Sequence, residues 1–280
     1  MPSQKELRTR IESVNAVKQM TKTMKMISVA KYNTVSKKQK EAVVYASMLD
    51  DIKSKFISNH EEHVRQQDID TTRKDLLIVI SSDKGFCGNF NNNIFKKTLA
   101  FLNEANINNV DIFPIGKKIN DFLTKRGVKT HTDYVNILKK VDINTIGEAV
   151  VNLTLKSEYN KIFIIYNHFI SFSKSVPSII SLDAKLISLP VNNDIEKQFI
   201  FEPGYNDFFY RLYMMDVQTQ IVKALFESCV AEHSARMFNM SKATDNAEVL
   251  LKKLRILYNQ MRQASITNEI IEISAGYKNT

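Results

Sequence analysis

The segment RMFNMSKATDNAEVLLKKLRILYNQM, residues 236–261, decides how the chain is built. Stepping alternately by four and three, a seam runs through Val222, Phe226, Cys229, His233, Arg236, Met240, Ala243, Ala247, Leu250, Leu254, Leu257, Met261, Ala264, Asn268 and Ile271, and only His233, Arg236 and Asn268 are not apolar. A repeat of 3.5 residues held this long predicts a left-handed coiled coil, which Gly276 is placed to end. The breakers agree: of 7 Gly and 5 Pro, only Pro2 and Gly276 fall outside the span from Gly85 to Gly204.

Working outward, the N-terminus opens with Ser3-Gln4-Lys5-Glu6. There the hydroxyl and the carboxylate can each satisfy an orphan backbone N–H in a capping box. Apolar residues then recur at Leu7, Ile11, Val14, Val17, Met20, Met24, Ile27 and Ala30, and helical spacing continues through Ala42, Ala46, Leu49, Ile52 and Phe56 to a polar stretch from Ser58 to Asp75. Two such helices, about 80 and about 100 Å long at 1.5 Å per residue, exceed a compact globule of this size. They are expected to pair as an antiparallel coiled coil; several shorter helices in a bundle are the alternative. Met24, Met26, Ile27, Val29 and Ala30 spread apolar groups around more of the first helix than one partner covers, which hints at a surrounding sleeve.

Between the helices, strand-like and helix-like stretches alternate. Strands are expected at Leu76–Ser81, Val110–Ile115, Lys161–Tyr166 and Ser178–Leu182, and helices near Asn93–Asn103, Lys117–Lys125 and Thr145–Ser157. This order predicts a doubly wound, Rossmann-like α/β domain. The expected division is 1–58 for the N-terminal coiled-coil helix, 59–204 for the α/β domain with its preceding linker, and 205–280 for the C-terminal coiled-coil helix.

The chain of 280 residues is 44% hydrophobic, which excludes disorder and collagen-like repetition, and its net charge of +9 suggests an acidic partner. Cys87 and Cys229 lie far apart in a chain without a signal-peptide pattern, so free thiols in a reducing compartment are expected. No apolar run approaches the ~20 residues of a membrane-spanning helix, so any membrane association is expected to be indirect.

Catalytic chemistry is hard to find. The loop from Ser81 to Asn91 follows the first strand, where ligand loops sit in doubly wound folds, yet Gly85-x-x-Gly88 is a weak signal and no Walker loop is present. A structural strand-to-helix turn is the preferred reading. Cys87 has no His or acid tied to it by pattern; His60-Glu61-Glu62-His63 lacks zincin spacing; His233 suits a packed or register-setting polar residue. No cofactor or metal is expected. Ser13 to Lys40 carries seven Lys and no acid, a stripe that a coiled-coil nucleic-acid-binding protein with a basic N-terminal helix would also show. Against that, the stripe has no Arg and one aromatic, Tyr32, so specific readout has little to work with. An α/β enzyme with a helical cap ranks third.

Four stretches carry a resemblance: Lys22-Thr23-Met24-Lys25-Met26-Ile27-Ser28-Val29-Ala30-Lys31; the loop Ser82-Asp83-Lys84-Gly85-Phe86-Cys87-Gly88; Ala235-Arg236-Met237 through Ala243-Thr244-Asp245-Asn246-Ala247; and Tyr258 to Glu269. The chain resembles the gamma subunits of F-type ATP synthase at both termini and through the domain between. The resemblance implies a non-catalytic central rotor shaft. It would couple proton flow through a membrane ring of c subunits to ATP synthesis in a ring of alpha and beta subunits, with an epsilon subunit as a further partner and no nucleic acid. It also implies a peripheral position on the cytoplasmic side of a bacterial inner membrane. Carried over by position, Lys18, Lys22, Met24 and Lys25 resemble the zone facing acidic levers of beta, Arg236, Arg262 and Gln263 resemble polar contacts inside the ring, and Phe201 and Glu202 resemble the part near the membrane rotor. Asn89 replaces a second glycine common in the family loop, and Cys87 and Cys229 do not form the adjacent dithiol of light-regulated plastid relatives.

Overall fold

A computed structural model describes residues 3–57, 74–104, 109–130, 159–183, 202 and 204–277. The elements in order are α1 (Gln4–Ile57), β1 (Asp75–Ile80), α2 (Phe90–Glu104), β2 (Val110–Ile115), α3 (Lys117–Thr124), β3 (Lys161–Ser171), β4 (Lys174–Asp183) and α4 (Tyr205–Tyr277). Both terminal helices are unbroken, which removes the alternative of several shorter helices. The helix expected near Thr145–Ser157 and the His60–His63 cluster lie outside the described residues.

Two compact units divide the chain, Ala30–Ala235 and Met1–Val29 with Arg236–Thr280. The first is built on a sheet of order β2-β1-β3-β4, with β1 parallel to β2 and β3, and β3 antiparallel to β4. Side chains alternate across a strand, so each strand feeds two cores. Leu76, Ile78, Ile80, Ile162 and Ile164 pack on Tyr213, Val217, Ile221 and Leu225 of α4. Leu77, Val79, Ile112 and Ile165 pack on Ile94 and Leu102 of α2 and Ile119 and Leu123 of α3. With helices on both faces, β1 is buried on both sides, and this is why it reads as an uninterrupted apolar run. The fold is thus the doubly wound one expected, with one antiparallel edge strand added.

Within this unit an ion pair ties α1 to α4. Lys53 Nζ lies 2.8 Å from Asp216 Oδ2 and 3.1 Å from Asp50 Oδ1, and the Asp216 side chain is nearly buried. Burial works against the Lys53 charge, but hydrogen bonding and attraction from Asp216, then from Asp50, outweigh it and leave the amine raised above its ordinary value.

The second unit is a pair of helical segments. The capping box forms as read: Ser3 N donates to Glu6 Oε2 at 2.8 Å and Glu6 N to Ser3 Oγ at 3.2 Å. Cross-contacts join Gln4 to Tyr258, Lys18 to Glu248, Thr21 to Thr244 and Lys25 to Ser241, rising along α1 as they fall along α4. The segments are therefore antiparallel.

Their seam differs from the one the apolar pattern predicts. On α1 the inward residues run Leu7, Ile11, Val14, Lys18, Thr21, Lys25, Ser28, with Met24 half-buried beside Lys25, so of the series expected beyond Val14 the residues Val17, Met20 and Ile27 lie one residue off the seam. On α4 the seam runs Met240, Thr244, Ala247, Leu251, Leu254, Tyr258, Met261, Ser265; Leu250 and Leu257 lie outside it. At 100° per residue Leu250 and Leu251 sit on either side of the line from Ala247 to Leu254, and since both are Leu the pattern alone cannot choose between them.

Candidate partner interface

The loop after β1 is the place where a doubly wound fold would hold a ligand, and its polar groups are occupied by the protein itself. Ser82 N donates to Asn91 Oδ1 at 3.1 Å, Ser82 Oγ donates to the Lys84 carbonyl at 2.7 Å, and Asn91 Nδ2 donates to Cys87 Sγ at 3.2 Å. Asp83 Oδ1 accepts from Lys117 N at 2.9 Å, and Ser81 Oγ accepts from Ile119 N at 3.0 Å. Two residues from the β1 loop therefore cap α3, whose own first neighbour is Gly116 and supplies no side chain. An anion would meet the Asp83 carboxylate there.

Among the described non-glycine residues Phe86 alone has a positive φ, 64°, and Gly88 takes 60°. Asn89 thus stands where no glycine is required. Cys87 is buried behind this turn, and Cys229 is half-buried in the helix packing, where burial first, then Glu232 and Asp83, push its thiol up to about 12. Neither thiol is set up as a nucleophile. Among the described residues no group of three or more His, Cys, Asp or Glu could hold a metal ion, and no helix is long and apolar enough to cross a membrane.

One more polar contact, buried on its Glu227 side, is structural. Glu227 of α4 meets His168 Nδ1 of β3 at 2.5 Å, and Tyr166 of the same strand bonds the same carboxylate. Burial, followed by that carboxylate, pushes the Tyr166 phenol up to about 12, so it remains a hydrogen-bond donor.

What remains unexplained by internal packing is apolar surface on the paired helical segments. Val17 is 52% exposed, Met20 61% and Ile27 53%, while Thr21 at 8% and Ser28 at 2% lie inside. On α4 Val249, Leu250, Ile256, Leu257, Ile266, Ile270, Ile271 and Ile273 are also exposed. Large apolar groups gathered outward around two helices, while Thr21 and Ser28 take places in the seam between them, make a surface fitted to be enclosed.

The residues expected at partner contacts fall into three sets. Lys22, Arg262 and Gln263 are exposed. Lys18, Met24, Lys25 and Arg236 are half-buried; Lys18 Nζ is 3.2 Å from Glu248 Oε2, and Lys25 Nζ donates to Ser241 Oγ at 2.9 Å. Glu202 is exposed in a bend, and Phe201 lies outside the described residues. The outward isoleucines Ile256, Ile266, Ile270 and Ile273 were not singled out from sequence. Their signal was present, because the last three follow each other by four and three off the seam.

Comparison with known proteins converges on one family. A family model described as ATP synthase matches residues 3–279. The ATP synthase gamma chain of Amoebophilus asiaticus is 39% identical over 291 residues, covering 99% of this chain and 98% of that one. The ATP synthase gamma chain of Cytophaga hutchinsonii is 35% identical over 290 residues with the same coverage. In fold, the chain is similar to one in the Euglena gracilis mitochondrial ATP synthase OSCP/F1/c-ring structure, at a TM-score of 0.67 and 19% identity over 98% of this chain and 93% of that one. A chain of the Tetrahymena thermophila mitochondrial ATP synthase central stalk/c-ring structure gives 0.58 and 20% identity, over 80% and 99%. The nucleic-acid reading finds no support among these relatives.

Proposed function

The chain belongs to the ATP synthase gamma-chain family, and on that premise we propose that it is the central rotor shaft of an F-type ATP synthase. The paired terminal helices stand inside a ring of alpha and beta subunits; the sheet domain lies toward the epsilon subunit and the membrane ring of c subunits. It couples proton flow through that ring to ATP synthesis. The chain contributes no catalytic group, and it sits peripherally on the cytoplasmic side of a bacterial inner membrane. The functional division is 1–58, 59–204 and 205–280.

One observation supports this reading more than any other: the outward apolar groups of α1 and α4 around a seam in which polar Thr21, Ser28 and Thr244 take places beside the leucines. A two-helix shaft has no threefold symmetry. Each of three beta subunits around it would meet a different face, and a site whose affinity depends on that face is linked to rotation by differential contact alone. In this reading Met24 and the lysines Lys18, Lys22 and Lys25 face acidic levers of beta. Arg236, Arg262 and Gln263 make polar contacts inside the ring, and Phe201 and Glu202 lie near the membrane rotor. Lys22 is the exposed lysine of its set and acts most directly, whereas Lys18 and Lys25 also hold α4.

Purifying the tagged chain from its native membranes and identifying its companions tests the assignment. Alpha, beta and epsilon are expected, and a compositionally unrelated set would overturn it. Reversing Lys18, Lys22 and Lys25 together to Glu should impair coupling far more than Lys22→Glu alone, since exposed charges act over about 8 Å and add. Normal pumping by the triple variant would remove the lysines from the interface.

A further inference from the structure

The displaced seam raises a physical question. Apolar burial favours turning Val17, Met20 and Ile27 of α1, and Leu250 and Leu257 of α4, inward. On α1 each is one residue from the seam, a turn of about 100°; on α4 Leu250 and Leu257 lie across the Ala247–Leu254 line from Leu251 and Tyr258, so a turn of about half that would bring them in. In the structure they face outward instead.

What occupies the seam in their place is a row of polar contacts. Thr21 Oγ1 donates to the Lys18 carbonyl at 3.0 Å, and Thr244 Oγ1 shares its one proton between the Met240 carbonyl at 2.7 Å and the Thr21 oxygen at 2.9 Å. One turn to either side, Lys18 reaches Glu248 and Lys25 donates to Ser241. Gln4 and Tyr258 add a contact at the end of the row, with Gln4 Nε2 3.5 Å from the phenol oxygen. None of these pairs can form in the rotated arrangement, because every member would swing off the line between the helices. A buried polar pair of this kind specifies one arrangement against its competitors at some cost in stability.

We propose that the Thr21–Thr244 pair, flanked by Lys18–Glu248 and Lys25–Ser241, is the positioning element that fixes the rotation of each helix about its axis and so decides which apolar face the shaft presents. The proposal deepens the rotor reading, since the face presented is the one a surrounding ring would meet. The geometry within the pair does not depend on that ring.

Thiol accessibility in the full chain separates the two arrangements. Leu250→Cys and Leu251→Cys are compared for their rates of alkylation against the unaltered protein as the background, where Cys87 is buried and Cys229, half-buried, is slowed by its raised thiol pKa. Position 250 should react faster than 251 by about tenfold or more, the difference expected between an open and a protected site. In a background of Lys18→Ala, Thr21→Ala, Lys25→Ala and Thr244→Ala that ratio should fall to about one or invert, whereas Thr21→Ser with Thr244→Ser should preserve it. An unchanged ratio in the alanine background, with helical content retained by circular dichroism, would overturn the proposal and assign the phase to Leu7, Leu251 and Leu254. Should that background lose helix, Thr21→Ala with Thr244→Ala alone is read in the same way.

ATP hydrolysis with alpha and beta subunits is the separate readout. Loss of stimulation in the alanine background, and not in the serine pair, is expected. If the accessibility ratio shifts while no ring assembles with the unaltered chain, the rotor reading fails and the positioning element stands.

Discussion

The sheet domain and the paired helical segments treat the same residue types in opposite ways. In the sheet domain Leu76 to Val79, Ile162, Ile164 and Ile165 are buried, and the polar loop residues Ser81, Ser82, Asp83 and Asn91 are consumed in bonds to one another and to α3. In the paired segments Thr21 and Ser28 are buried beside Leu7, Met240, Leu251 and Leu254, while Val17, Met20 and Ile27 face out. A domain that follows the hydrophobic rule is stable for its own sake; a segment that reverses it is shaped for something else to cover. The difference marks one region as a scaffold and the other as a surface open to a partner.

The largest effect that can test this contrast is a core truncation. Ile164 is fully buried between β1 and α4, so Ile164→Ala should cost about 3–4 kcal/mol of unfolding free energy in urea. Met20→Ala, at a site that is mostly solvent, should change the isolated chain by no more than about 0.5 kcal/mol. Its expected effect is on activity with alpha and beta present. Equal destabilisation by the two changes would mean that the outward face is packed in the free chain, and the contrast would collapse.

Next in size is a backbone effect inside the scaffold. Gly116 has φ of 104°, and a Cβ there would stand 2.4 Å from the Ser81 carbonyl oxygen, which is backbone and cannot swing aside. Gly116→Ala should therefore cost about 2–3 kcal/mol and loosen the caps that Ser81 and Asp83 place on α3. Hydrogen exchange at Lys117 to Ile119 should rise with it.

The two regions were also unequally legible. Val110–Ile115 matches β2 at both ends, because a parallel strand buried on two faces reads as one apolar run. The strand expected at Lys161–Tyr166 runs on to Ser171, since Asn167 and His168 pair with Pro177 and Val176 in a hairpin that apolar pattern does not announce. The long helices and the capping box were plain from spacing and from the absence of Gly and Pro. The phase of their pairing was not, because at 250–251 two leucines stand side by side and at 17–28 the inward residues are polar. Hydrogen-bonded selection of that sort leaves no apolar periodicity. The Asn91 network was hidden for the same reason, as a polar residue beside a turn looks the same whether bonded or solvated.

A smaller prediction concerns the ion pair inside the sheet unit. Lys53→Met would leave the nearly buried Asp216 without its cation, and about 2 kcal/mol should be lost, less than for a fully buried pair because Lys53 keeps some exposure. The Lys53 amine is raised above its unfolded value, so its contribution is fully present below pH 10.5 and is lost as pH climbs through the folded value. Wild type and Lys53→Met should thus converge in stability at strongly alkaline pH. A gap that persists there would assign the loss to packing of the lysine stem and not to its charge.

The smallest expected effect lies in the paired segments, at Lys18 and Glu248. The Glu248 carboxylate is held below its ordinary value by the hydrogen bond from Lys18, then by the charges of Lys18 and Lys252. A depressed acid stabilises the fold above its unfolded pKa, and that contribution is lost as pH falls through the folded value, so Glu248→Gln should separate from wild type at neutral pH and merge with it in acid. Because the pair is open to water, added salt should shrink the difference toward nothing. The consequence for the contrast is specific: a pair this weak is cheap to open, so Lys18 can leave Glu248 for an acidic group of an enclosing partner, while the Thr21–Thr244 bond beneath it keeps the helix phase. A melting difference between wild type and Glu248→Gln that survives high salt would show Lys18 committed to the seam, and would leave Lys22 as the lysine that meets the partner.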